Sequence, residues 1–68
     1  MLEEHNWAVY RTGIGNRSLR HYKGRAIVND NLTRVEAKTY AARMRKLLSS
    51  GERHHYKISY RIIQIKED

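Results

Sequence analysis

Leu32-Thr33-Arg34-Val35-Glu36-Ala37-Lys38-Thr39-Tyr40-Ala41, running on through Met44, Leu47 and Leu48 to Ser49-Ser50-Gly51, predicts a helix from Arg34 to Ser49. Thr33 is placed to accept the N–H three residues on, and Glu36 to reach back to the N–H of Thr33, the reciprocal arrangement that satisfies two orphan donors of a helix N-terminus. Gly51 fits the left-handed position that ends a helix without a Cβ clash. Ala37, Tyr40, Ala41, Met44, Leu47 and Leu48 recur at helical spacing and form one apolar stripe. The small Ala37 and Ala41 let the backbone approach a sheet closely. Arg34, Lys38 and Arg45 share one flank, with Arg43 and Lys46 further round.

Outward from the helix, three segments alternate with period two, the pattern of a half-buried strand. His5 to Thr12 sets Trp7 and Val9 against Ala8 and Tyr10. Arg20 to Val28 sets Tyr22, Gly24, Ala26 and Val28 against His21, Lys23, Arg25 and Ile27. Tyr56 to Ile65 sets Tyr56, Ile58, Tyr60 and Ile62 against Lys57, Ser59 and Arg61, until Ile62, Ile63 and Ile65 break the alternation. Residues 13–18 read as a loop joining the first two strands into a hairpin. Asn29-Asp30-Asn31 reads as a turn into the helix, Glu52-Arg53-His54-His55 as a polar connection, and the tail after Ile65 as frayed. The expectation is an α+β fold of order ββαβ: a three-stranded sheet with one helix packed on one face, a single domain over residues 1–68. A right-handed crossover favours a parallel place for the third strand, beside strand one. The helix should cover Trp7, Val9, Ala26, Val28, Ile58, Tyr60 and Ile62, with Leu2 closing one end.

Sixty-eight residues give a small core, since a domain of this size buries only about 60% of its unfolded surface. The chain holds no cysteine, which excludes a disulfide or a thiolate zinc site as a staple and suits a reducing cytoplasm. No apolar run approaches the roughly 20 residues of a membrane span, and Met1-Leu2-Glu3-Glu4 lacks the character of a signal sequence. A cytoplasmic protein is expected. Fourteen Lys and Arg against seven Asp and Glu leave a net charge of +7, which favours polyanionic partners.

The sheet face opposite the helix is the expected place of function. Lys23, Arg25, Lys57 and Arg61 are placed there to meet phosphates and Tyr10 to stack on a base, with Arg34, Lys38 and Arg45 contributing from the helix flank. DNA or RNA is the partner this implies, bound mainly without regard to sequence. The alternative is a protein partner, a host protein or a second copy of the chain, covering Ile27, Ile63 and Ile65 on the same face. A β-bulge returning Ile63 and Ile65 to the helix side would remove that patch.

Other chemistry has little support. His5, His21, His54 and His55 have neither helical i, i+4 spacing nor a cysteine to complete a tetrahedral set, so no metal site is expected. Gly13-Ile14-Gly15 starts a glycine fingerprint, but Ser18 stands where the third glycine belongs and no helix follows. The serines lack motif context and the acids lie near the termini and helix starts, so neither enzymatic activity nor a cofactor is expected.

Trp7-Ala8-Val9-Tyr10-Arg11, Leu32-Thr33-x-x-Glu36-Ala37-x-x-Tyr40-Ala41 and Tyr56-Lys57-Ile58 together resemble the layout of many short proteins encoded by bacteriophages and their bacterial hosts. That resemblance implies a small accessory or host-interacting protein. The basic strand hairpin followed by a Thr-x-x-Glu-Ala helix is also similar to the arm-site DNA-binding domains of phage-type integrases, which implies DNA contact through a three-stranded sheet.

Overall fold

In the computed structural model, which describes residues 4–15 and 19–66, the capping box forms as the sequence requires. The Thr33 hydroxyl accepts the Glu36 N–H at 3.1 Å, and the Glu36 carboxylate accepts the Thr33 N–H at 2.9 Å. The helix they start, α1 (Arg34–Leu47), is shorter than expected. A second capping box explains why: Ser49 accepts from the Glu52 N–H at 3.2 Å and Glu52 from the Ser49 N–H at 3.0 Å. Ser49 therefore begins a new short helix, α2 (Ser50–His54), with Leu48 extended as the C-cap between the two. Gly51 lies inside α2 rather than closing α1.

Four strands form one sheet: β1 (Trp7–Thr12), β2 (Arg20–Tyr22), β3 (Arg25–Leu32) and β4 (Ser59–Gln64), in the order β2-β3-β1-β4. The architecture is α+β, with four strands and two helices among the described residues in place of the expected three and one. The extra strand arises because the segment read as one strand from Arg20 to Val28 folds back on itself. Lys23 and Gly24 take φ values of 48° and 79°, the two positive angles of a type I′ turn, and Tyr22 pairs with Arg25. Asn29-Asp30-Asn31, expected as a turn, is instead the end of β3. Two steps along β1 from Trp7 to Val9 match three along β3, and the next single step matches two, so β3 carries two extra residues. Asn31 absorbs part of this at φ 58°, as a short polar side chain allows. Pairing with β1 outweighs the local turn preference.

β4 neighbours β1, as expected, but runs antiparallel to it. The crossover through α1 does join parallel strands. They are β3 and β4, each antiparallel to β1, which lies between them.

α1 packs on β4, β1 and β3. Val9, Ala37, Ala41, Ile58 and Tyr60 form the core, flanked by half-buried Trp7, Val28, Leu32, Tyr40, Met44, Leu48 and Ile62. Ala26 is buried but stands outside this cluster, on β3 opposite Arg11. Leu47 is 72% exposed: it sits roughly 80° round the helix from Ala37 and is the last helical residue. Leu2 and the end of the tail lie outside the described residues.

The face opposite α1 is not bare. Ala8 and Ile27 alternate away from Val9 and Ala26, yet both are buried. Tyr22 Oη donates to the Lys66 carbonyl at 3.3 Å and accepts the Lys66 N–H at 3.4 Å. This joins β2 to the segment following β4, although the two strands are opposite edges of the order. A strongly coiled sheet is needed to bring them together.

Candidate functional site

The expected binding residues divide into those the fold gathers and those it disperses. Tyr10 and Arg61 are directly opposed on β1 and β4. Lys38 and Arg45 extend from the α1 flank towards the same strand edge. Together with Ala41, Ala42 and Ile62, these four line an open groove of about 570 Å³ that spans both layers at the β4 edge. Among these described lining residues there is no acid. Lys38, Arg45 and Arg61 are exposed, Tyr10 half-buried.

Two smaller hollows flank the groove. Towards the start of α1, Arg34 sits over the Trp7 ring at 5.7 Å from its centroid, with Gln64 of β4 alongside and Glu4 adding an acid at this end. Towards the end of α1, Arg45 donates from Nη1 to the Tyr60 carbonyl at 2.9 Å, and Arg53 of α2 donates to the Arg45 carbonyl. The result is a seam between α1 and β4 edged by Arg34, Lys38, Arg45 and Arg61.

Three expected residues fall elsewhere. Lys23 is in the β2–β3 turn, its ammonium 5.4 Å from the Tyr22 ring centroid. Lys57 precedes β4 with φ 55° and is exposed, outside the strand in which it was expected. Arg25 remains on the face opposite α1, with its guanidinium 5.5 Å from the centroid of the Tyr10 ring. Arg25 thus reaches the site through Tyr10 rather than through the groove wall. The expected self-association patch is also reduced: Ile27 is only 6% exposed, while Ile63 and Ile65 are half-buried.

β4 adds a feature that no single residue signals. The Ile65 N–H donates to the carbonyl of Asn6, the residue before β1, and the Tyr60 carbonyl faces outward to Arg45. By the alternation of an antiparallel pair, the main-chain groups of Ile62 and Gln64 then also point away from β1. No described strand lies beyond β4, so the β4 edge of the seam carries donors and acceptors as well as cations.

A larger concavity of about 990 Å³ lies near β2 and the end of β4. Its charges are mixed: Arg20 is paired with Asp30, and Glu4 accepts from Asn6 at 3.1 Å. It offers far less net field to an anion than the seam. The helix-start carboxylates stay ionised at neutral pH and are engaged by their own caps. Glu36 is held below its ordinary pKa mainly by the backbone N–H of Thr33, then by the Thr33 hydroxyl, and His5 lies 3.7 Å from it. Glu52 is held low in the same way by Ser49.

No protein-family model, curated protein or solved structure matches the chain. No helix among the described residues is long and apolar enough to cross a membrane.

Proposed function

We propose that the protein binds nucleic acid, with the seam between α1 and β4 as its contact surface. The observation carrying this reading is the convergence of Lys38, Arg45 and Arg61 around Tyr10 in a groove whose described lining contains no acid. The net charge of +7 supplies a long-range field towards polyanions. Cations placed to follow a phosphate chain give affinity without sequence information, and an aromatic ring beside them adds stacking that any base can satisfy.

Fluorescence anisotropy of labelled DNA and RNA oligonucleotides tests the proposal. Binding should strengthen as salt falls and weaken in Lys38→Gln/Arg61→Gln, with the fold unchanged by circular dichroism. Absence of binding at low salt, or binding indifferent to both substitutions, would overturn it. The exposed β4 edge favours one other reading, an acidic peptide added as a further strand. A peptide that binds where oligonucleotides do not would establish that reading instead.

A further inference from the structure

We infer that the polyanion is a single strand, laid along the α1–β4 seam with its sugar-phosphate chain between Lys38 and Arg45 on one wall and Arg61 on the other. This rests on the nucleic-acid reading and narrows it.

Three features of the seam converge on an unpaired strand. The first is shape. The cations nearest Tyr10 sit in a concave groove between a helix and a strand edge. A single chain can enter such a groove, whereas a duplex, as a wide stiff cylinder, would touch the rims. The second is the outward-facing main chain of Ile62 and Gln64 at the groove's edge. Free N–H and C=O groups are useful to bases whose pairing edges are unoccupied, and bases in a duplex have already spent theirs. The third is the aromatic ring. Tyr10 takes Arg25 over one face of its ring, so a base can stack on the opposite face of the ring or on the outer plane of the guanidinium. A duplex offers no unstacked base for either surface.

Size sets a limit on the site. From Lys38 to Arg45 along α1 is roughly 10 Å at about 1.5 Å per residue. That accommodates about three nucleotides stacked at about 3.4 Å each. Three phosphates neutralised by Lys38, Arg45 and Arg61 give a single-strand salt slope near −2, about −0.7 for each contact. Affinity should then fall roughly 20-fold between about 50 and 200 mM salt.

The test is a comparison of a short oligothymidylate with a hairpin duplex of equal phosphate number, read by anisotropy across salt and by amide chemical shifts. The expected result is at least roughly tenfold preference for the single strand, with the Ile62 and Gln64 amides among those that shift. Lys38→Gln, at an exposed helix position, should lower the magnitude of the slope by about 0.7. Tyr10→Leu should weaken binding by about 5- to 150-fold, the range of one stacked base, while Tyr10→Phe should not. Equal or tighter duplex binding, or shifts centred on Arg43 and Lys46 of α1, would overturn the single-strand inference and leave nucleic-acid binding standing. Poly-glutamate binding as tightly as the oligonucleotide, with no effect of Tyr10→Leu, would also overturn it. Failure of both oligonucleotides to bind at low salt removes the broader proposal as well.

Discussion

Arg45 Nη1 donates to the Tyr60 carbonyl at 2.9 Å, so a helix side chain occupies an outward acceptor on an edge strand. An exposed strand edge is a template for unwanted pairing, and a covering cation is one of the means by which proteins blunt it. The same guanidinium therefore serves the fold and borders the candidate site. Arg45→Ala should destabilise the protein by about 0.5–1.5 kcal/mol, the net worth of one hydrogen bond, and increase concentration-dependent association. Urea denaturation together with light scattering checks both effects. An unchanged midpoint with no added association would show that water replaces the arginine at no cost.

Gly13 has φ +109°, and a Cβ there would lie 2.9 Å from backbone atoms of Tyr56, Lys57 and Ile58. Neither the angle nor the space admits another residue. Gly13→Ala should cost on the order of 1–3 kcal/mol and be felt first where residues 56–58 lead into β4. A lower thermal midpoint, with early loss of amide protection at Ile58, is the expected outcome.

The Lys23-Gly24 turn carries a lysine at φ 48°, where Asn is the better residue for a type I′ hairpin. Lys23→Asn should stabilise the protein by on the order of 0.5 kcal/mol. Gly24→Val should destabilise it by about 1–2 kcal/mol, the cost of a left-handed angle to a residue with a Cβ. Opposite shifts in the thermal midpoint would check both.

Thr33 and Glu36 form a cap that titrates. The Glu36 carboxyl is held below its ordinary value of 4.5 by Thr33, and Glu52 likewise by Ser49. A carboxylate whose pKa is depressed by folding stabilises the native state above its unfolded pKa. That contribution is lost as pH falls through the lower, folded value. Thermal midpoints measured from about pH 7 to about pH 2 should therefore decline below about 4.5, and less steeply in Thr33→Ala. Thr33 is 6% exposed, and its replacement should cost about 1 kcal/mol at neutral pH. That corresponds to about 4–8 °C in the midpoint for a chain of this size.

How far the sequence revealed these features depends on the range of the forces involved. The α1 start was legible because Thr33 and Glu36 act within one turn, and the basic flank because Arg34, Lys38 and Arg45 follow the helical period. The opposition of Tyr10 and Arg61 was half legible: alternation placed both on one face, but their register came from pairing. Ser49-Ser50-Gly51 misled because the glycine suggested an end, while Ser49 and Glu52 held an unread start. Lys23-Gly24 passed as strand because lysine hides the turn that asparagine would have announced. The outward main chain of Ile62 and Gln64 had no local signal. It exists only because β4 pairs with β1 on one side and with no described strand on the other.

The central position of β1 has a consequence for how the protein is made. β1 leaves the ribosome ahead of β3 and can pair with it once β3 follows, but its second partner, β4, is the last described element to emerge. Until Gln64 is clear of the exit tunnel, one side of β1 stays unpaired, and Val9 and the α1 stripe lack Ile58 and Tyr60. The nascent chain thus passes through a stage in which a hairpin and a helix exist without the strand that buries them. Completion of the sheet waits for β4, when a contact between the first and last described elements can close.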